Sequence, residues 1–357
     1  CDAGTTGRLL SSRDADGNAV AYGYNGAGLP PGAASASGET VHYDYSGTLL
    51  TQVRTVHLVG TTPTTLTRVR YAYDASNRLS SVTVDLTPAD NAVTDGKTYV
   101  TTYAYDGTSR RVASALQSDG SGLRFTYVLV GADWRVATIQ DALDQTTSFA
   151  YDTANRRTTV TSPLGFATTY AYDAAGQLLQ VTAPPGQVTA FAWDASGNLT
   201  RTTDAEGRTV DMAYDANGNQ TLVRDGAGNT VTRTFSAVNL LLTETTHAVA
   251  DPDGAGTGQP GGPMTTRSVW DAAGQRQLRY VVSPEGRVVE HRYNGYGERV
   301  ATIAYAGALY GVGSLGATQV PTEAEMTTWV AAQDKARTQR TDYAYDTRSL
   351  LKTATTY

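Results

Sequence analysis

An aromatic residue recurs every 21 positions through the middle of the chain: Tyr151, Tyr172, Trp193, Tyr214 and Phe235. Four of the five are followed by aspartate, at Asp152, Asp173, Asp194 and Asp215. A unit this short cannot bury a hydrophobic face alone, so successive copies must support one another. With insertions, the same pattern continues at Tyr24, Tyr45, Tyr73, Tyr105, Tyr127, Trp270, Tyr293 and Tyr345. Cys1-Asp2, followed by Gly7-Arg8-Leu9, stands where another anchor would fall, so the array is expected to be under way at the first residue.

Within one copy, Phe166, Thr168, Tyr170 and Tyr172 alternate with Ala167, Thr169 and Ala171, the period of two that marks a strand. Asp173-Ala174-Ala175-Gly176 supplies a turn, because aspartate can bond its own backbone two residues on and glycine accepts positive φ. Gln177 to Thr182 is the return strand, with Leu179 and Val181 expected on one face, and Ala183-Pro184-Pro185-Gly186 turns the chain into the next copy. Trp193-Asp194 with Gly197 and Tyr214-Asp215 with Gly218 repeat the plan. Each copy is therefore a hairpin, and the hairpins follow one another as a meander.

The residue two before each anchor should share its face. It is aromatic or methionine at ten of thirteen anchors: Tyr22, Tyr43, Tyr71, Tyr103, Phe125, Phe149, Tyr170, Phe191, Met212 and Tyr343. Between the two stands a small residue in most copies, such as Ala72, Ala104, Ala150 and Ala192. A single sheet with an aromatic ladder on one face follows, each neighbouring pair contributing roughly 0.2–1 kcal/mol. Tyrosine, at 22 residues against 5 phenylalanines, fits a face that is tight but not dry, since each hydroxyl still needs a partner.

Composition excludes several alternatives. A formal net charge of −6 with scattered arginines gives no basic stripe, so nucleic acid is not an expected partner. A single cysteine cannot form an internal disulfide, and no stretch approaches the ~20 apolar residues of a membrane span. No signal-peptide pattern stands at the start of the chain, which begins at Cys1 and reads as an excised piece. A lipidated N-terminal cysteine is the other reading of Cys1, and its place in the repeat register argues against it.

The units Tyr172-Asp173-Ala174-Ala175-Gly176-Gln177-Leu178, Trp193-Asp194-Ala195-Ser196-Gly197-Asn198-Leu199, Tyr214-Asp215-Ala216-Asn217-Gly218-Asn219 and Tyr73-Asp74-Ala75-Ser76-Asn77-Arg78-Leu79 resemble the YD repeat of RHS proteins. The resemblance covers nearly the whole chain. It implies a β-ribbon wound into a hollow shell, as in bacterial RHS proteins and toxin-complex C components, where the shell encloses a C-terminal toxin. Teneurins, which act in adhesion, use related repeats. The repeats of this family are not enzymes. The expected architecture is all-β: one array over 1–357 forming a curved or spiral single-sheet shell. Its anchors are Tyr73, Tyr105, Tyr151, Asp152, Tyr172, Asp173, Gly176, Trp193, Asp194, Gly197, Tyr214, Asp215, Gly218, Phe235, Trp270 and Tyr345. About 14 hairpins give ~28 strands and a ribbon ~135 Å long, or ~40 Å across if rolled into one ring. Such a wall would be partial, with open edges, and is expected to belong to a longer protein with repeats on both sides.

Insertion loops are expected over 79–98 and 247–264, and a third insertion over 306–340 carries a helix near 322–337. Thr322 and Glu325 have capping-box spacing, and Met326, Trp329 and Val330 follow at helical spacing. Trp329 is expected to pack the helix on the sheet as a plug; a docking site for a neighbouring domain is the alternative.

Several motifs carry other readings. Family members hold catalytic aspartates in DPxG-type motifs beyond the last repeats. Asp251-Pro252-Asp253-Gly254 matches that pattern but lies mid-array and opens a Gly/Pro-rich run through Pro263, which reads as a loop. Gly311-Val312-Gly313-Ser314-Leu315-Gly316 matches GxGxxG but lacks the strand-to-crossover-helix setting of a dinucleotide site, so a flexible loop is expected. Asp14-Ala15-Asp16-Gly17-Asn18 and Asp215 to Asn219 mimic half of an EF-hand loop, with Asn25 and Gly226 where the bidentate glutamate belongs. His42, His57, His247 and His291 have no metal-ligand spacing, and no GxSxG elbow occurs.

The function expected is therefore a non-catalytic shell segment of a large bacterial RHS-repeat protein, secreted or on the cell surface, without cofactor or metal. Its partners would be further repeats of the same parent chain and an enclosed C-terminal toxin or effector. The alternative is an extracellular adhesin whose exposed aromatics bind a cell-surface glycan. A hydrolase is the third and least supported reading.

Overall fold

Alternating residues between Asp/Gly turns leave the backbone only one regular solution, hairpin after hairpin. The computed structural model of the chain follows it, with 28 strands, one α-helix at Glu323–Ala331, and two short 3-10 segments, Val312–Ser314 and Lys335–Arg337, among the described residues. The structure describes all residues except 1, 4–7, 14–18, 26–27, 36–37, 252, 255–259 and 347–348. The Cys1 anchor, the Asp14 to Asn18 turn, Pro252 and part of the Gly/Pro run lie outside the described residues.

The chain is described as two units, Cys1–Thr168 and Thr169–Tyr357. In the first, every strand from Asp2–Ala3 to Arg157–Thr161 pairs antiparallel with its sequence neighbours. In the second, the same holds from Thr169 of the strand Ala167–Tyr172 through to Leu351–Thr356. No described strand pair is parallel, and the final strand has a described partner on one side alone.

The insertions are shorter than the sequence implies. Leu79–Asp85 is a strand, so the first loop occupies 86–97. The second runs only between Val249 and Gly261, whose strands extend into the region expected to be loop. The third lies between Tyr305 and Thr338, and its helix stops at Ala331 rather than continuing to 337. Polar residues after Val330 remove the apolar face that would anchor another turn.

Hydrophobic burial is concentrated in one place. All the fully buried hydrophobic residues lie between Val269 and Val330. Tyr280, Val282, Val288, Ile303 and Tyr305 on three consecutive strands meet Met326 and Val330 of the helix. Trp329, expected to be the plug, stands at the margin and meets Tyr305 and Tyr310 edge-on at 5.7 and 5.9 Å; Met326 is the side chain fully enclosed. The expected capping box is present: Glu325 donates its N–H to Thr322 Oγ1 at 3.2 Å and accepts the Thr322 N–H at 2.7 Å.

Elsewhere the sheet is one layer thick. The chain exposes 21107 Å². A compact monomer of 37.7 kDa would expose ~14,000 Å². The anchors Tyr73, Tyr105, Tyr151, Tyr172, Trp193, Tyr214, Phe235, Trp270 and Tyr345 are all half-buried, while Ala72, Ala104, Ala150, Ala192 and Ala213 between the aromatics are exposed.

Candidate functional site

The repeat itself contains the most regular chemistry in the molecule. At the anchor the two strands of a hairpin slip out of simple register. Ala171 pairs with Gln180, but Tyr172 pairs with Leu178, so Leu179 is an extra, bulged residue. It is 40% exposed, and the shift interrupts the strict alternation expected of the return strand. The same shift occurs at Tyr45, Tyr73, Trp193, Tyr214, Phe235, Trp270, Tyr293 and Tyr345. Such a bulge bends the strand and raises its twist.

The bulge also aims a carbonyl. Tyr73 Oη donates to Leu50 O at 2.8 Å, and Leu50 is the residue paired with Tyr45, the preceding anchor. Tyr105 does the same to Leu79, Tyr127 to Val112 and Tyr151 to Val136, at 2.7–2.8 Å. In the second unit Trp193 Nε1 reaches Leu178 O and Trp270 Nε1 reaches Leu241 O, both at 2.8 Å. Tyr293 donates to Leu278 O at 3.1 Å and Tyr345 to Arg299 O at 3.0 Å. Each of these eight anchors satisfies a backbone acceptor one repeat back, which explains why Tyr and Trp fill these positions: both carry a donor at the tip of a large apolar ring. Phe235 has no donor, and Tyr214 turns its hydroxyl to Met212 Sδ at 3.8 Å. With its polar tips consumed in this way, the ladder offers few free groups to a glycan.

The aspartate after each anchor organises the turn. Asp173 Oδ1 accepts from the N–H groups of Ala175 and Gln177, both at 2.8 Å. Asp194 and Asp215 make the equivalent pairs, and their second oxygens accept from Asn198 and Asn219 Nδ2 at 3.0 and 2.8 Å. The side-chain bond from Asn198, then its backbone N–H, holds the Asp194 carboxyl below the usual carboxylate range, and Asn219 does so for Asp215. Gly176, Gly197 and Gly218 follow with φ of 86°, 85° and 82°, a backbone that costs glycine nothing. Asp152 instead accepts from Asn155 at 3.0 Å.

The motifs with other readings are absorbed into structure. The carbonyls of Leu315 and Gly316, inside the GxGxxG match, accept from Arg267 Nη2 at 3.5 and 3.2 Å, and Gln319 O accepts from its Nε at 2.9 Å. The segment is thus pinned over the sheet rather than free as expected. Arg267 is 4% exposed, and no described carboxylate pairs with it. Asp251 accepts the Gly254 N–H at 2.8 Å, donates its own N–H to Gly228 O at 2.8 Å, and lies 3.7 Å from Arg224. In the first unit Arg68 donates to Pro88 O and Arg70 to Asn91 Oδ1, holding loop 86–97 in the same manner. A strand arginine therefore ties down each insertion; its planar five-donor fork suits converging carbonyls, which a lysine could not span. This use was not legible in the sequence beyond the scarcity of lysine, 3 of 28 basic residues.

Glu290, buried beside the core, is raised by desolvation but held net below its usual range by hydrogen bonds from Arg292 at 2.6 Å and Tyr305 at 2.6 Å. Burial, then Glu290, pushes the Tyr305 hydroxyl up. Burial, then Arg299, pushes the His291 imidazole below its ordinary value. Among the described residues no group of three His, Cys, Asp or Glu could hold a metal ion. An open cleft of about 400 Å³ between the strands Ala19–Tyr22, Gly32–Ser35 and Thr40–Ser46 is lined by Ala21, Tyr22, Pro31, Val41 and His42, whose Nε2 lies 3.0 Å from Thr40 Oγ1. No helix is long and apolar enough to cross a membrane.

A sequence model described as RHS Repeat matches residues 5–40, 132–167, 158–188, 172–209 and 193–230. No curated protein matches. Among solved structures, the crystal structure of TcdB2-TccC3 is similar at a TM-score of 0.48 and 12% identity, covering 100% of this chain and 24% of that one. The Photorhabdus luminescens Tc holotoxin pore is similar at 0.36 and 12%, covering 95% and 21%. A porin-like protein from Bacteroides uniformis gives 0.19 and 11%, covering 74% and 88%. This chain therefore spans about a quarter of the length of the TcdB2-TccC3 structure. The match over 132–230 contains the anchors Tyr151, Tyr172, Trp193 and Tyr214 with their turns: over the matched residues the chain carries RHS repeats.

Proposed function

We propose that this chain is a length of non-catalytic wall in a larger RHS-repeat protein, secreted or on the cell surface, that encloses or presents a C-terminal toxin or effector polypeptide. One observation carries the reading: the polar groups that recur with the repeat are spent on holding one repeat to the next. The anchor donors cap carbonyls one hairpin back, and the aspartates close the turns. Further repeats of the parent chain are the partners of such a wall, since each hairpin pairs edge to edge with the next.

Native proteolysis of the parent protein tests enclosure. The polypeptide following the repeats is expected to survive protease while the wall is folded and to be cut once denaturant opens it. Immediate digestion under native conditions defeats the enclosing role. Turnover of a glycoside, nucleic acid or peptide that one point substitution abolishes would defeat the non-catalytic one.

A further inference from the structure

The open cleft beside the strands Ala19–Tyr22, Gly32–Ser35 and Thr40–Ser46 has a floor of small side chains. Cross-strand pairing puts Ala21, Ala34 and Thr40 at one level and Gly32 with His42 at the next. All five lie on the face opposite Tyr22, which pairs with Ala33. A Cβ at Gly32 would stand 2.3 Å from Val41 O, so no larger residue fits there and the floor stays low. A volume of about 400 Å³ falls at the small end of the ~300–1,000 Å³ typical of small-molecule sites.

One wall of the cleft is polar. Thr40 Oγ1 donates to Val56 O at 3.4 Å and therefore receives the His42 Nε2–H at 3.0 Å, which leaves the other ring nitrogen of His42 to a ligand. Arg54 pairs with His42 on the next strand, Leu49–Val59, and Arg68 pairs with Arg54 on Thr62–Tyr73, so an imidazole and two guanidinium groups share one level of this face. Arg68 is spent on Pro88 O and Gln52 Oε1, and Arg70 on Asp85 and Asn91. Arg54 is not spent. Among the described residues it makes no hydrogen bond, and the carboxylate oxygen beside it, Asp44 Oδ2, lies 3.8 Å away and already accepts from Gln52 at 2.6 Å. Its side chain is 31% exposed, open to a ligand yet partly withdrawn from water. Burial, then the charges of Arg70 and Arg54, pushes the Arg68 guanidinium below its ordinary value, the mark of an unbalanced local positive charge.

We propose that this cleft binds a small aromatic carboxylic acid. The ring lies on the floor of Ala21, Gly32 and Ala34, and Arg54 takes the carboxylate in a planar two-point contact. The second nitrogen of His42 adds a polar contact from the wall. A flat ring covers a flat floor without losing internal rotations on binding, which an aliphatic chain of the same size would lose. Asp44 beside Arg54 selects a singly charged group, because its carboxylate repels a doubly charged phosphate more strongly. The inference is independent of whether the wall encloses a polypeptide.

Titration of the purified chain with 2-naphthoate, followed by ligand-observed NMR and calorimetry, tests the site. A Kd of about 0.1–1 mM is expected, with the neutral isostere 2-naphthamide binding about tenfold more weakly. Arg54→Gln should weaken naphthoate binding about tenfold and erase its advantage over the amide. Ala34→Leu keeps every charge but fills the floor, and should abolish binding of both compounds. Arg287→Gln makes the same charge change in the second unit and should leave the affinity unchanged, and circular dichroism should be the same for all three variants. No binding of naphthoate, equal affinity for the amide, an unchanged Kd in Arg54→Gln, full binding by a folded Ala34→Leu, or equal loss in Arg287→Gln would each overturn the assignment.

Discussion

Trp193 Nε1 donates at 2.8 Å to the carbonyl of Leu178, the residue that faces the preceding anchor Tyr172 across the bulge. The contact joins two repeats through a side chain, beyond the backbone pair Gln180–Ala190 of the two strands that carry it. It also separates two properties of an anchor, its apolar bulk and its single donor, that substitutions can remove one at a time.

Trp193→Phe keeps most of the ring and deletes the donor. The Leu178 carbonyl loses its partner in a half-buried place, so a loss of about 1 kcal/mol is expected in urea unfolding of the chain. Trp193→Ala should cost more, about 2–3 kcal/mol, below the range for fully enclosed aromatics because the ring is only half-buried. Equal effects for the two would mean that the donor contributes everything and the ring nothing.

Phe235 offers the converse experiment. Its place in the relay faces Gln220, which pairs with the anchor Tyr214. Phe235→Tyr supplies the missing hydroxyl and is expected to stabilise by about 0.5–1 kcal/mol, read as a raised denaturation midpoint at unchanged slope.

Met326 is completely enclosed by strand residues, whereas Trp329 stands at the margin of the same cluster. Met326→Ala is expected to cost about 3 kcal/mol and Glu325→Ala, which breaks the capping box, about 1 kcal/mol. Amide hydrogen exchange in Glu323–Ala331 should accelerate in both, more in the first.

Arg267→Met removes the fork over which Leu315, Gly316 and Gln319 converge. The freed carbonyls must find water, and segment 306–322 is expected to become a preferred site of limited proteolysis. Unchanged resistance would show that the helix alone holds the insertion.

The turn carboxyls give the pH dependence its sign. Asp194, Asp215 and Asp225 are held low chiefly by side-chain bonds from Asn198, Asn219 and Asn229. Their folded pKa values lie below the unfolded value near 4, so the stability they supply is complete above about pH 4 and falls as acid protonates the folded form. Thermal melting between pH 6 and 2 should show that loss, with pH values here marking roughly the carboxylate range. Asp194→Asn should flatten the curve while lowering it at neutral pH.

Much of this was open to a reader of the sequence, and the division has a physical cause. Spacing of 21 with Asp and Gly after each aromatic specifies hairpins and their turns, because those choices are made by backbone torsions and hydrogen bonds within six residues. Thr322 and Glu325 announced a helix start for the same reason. The bulge at Leu179 was hidden, since alternation presumes unbroken register, and so was the bond from Trp193 to Leu178, which depends on how two hairpins lie side by side. Local order was thus written in short-range chemistry. Which residues meet across repeats, which insertion is clamped and where the one core forms were decided by tertiary pairing, because those contacts join residues whose separation in sequence carries no periodic signal.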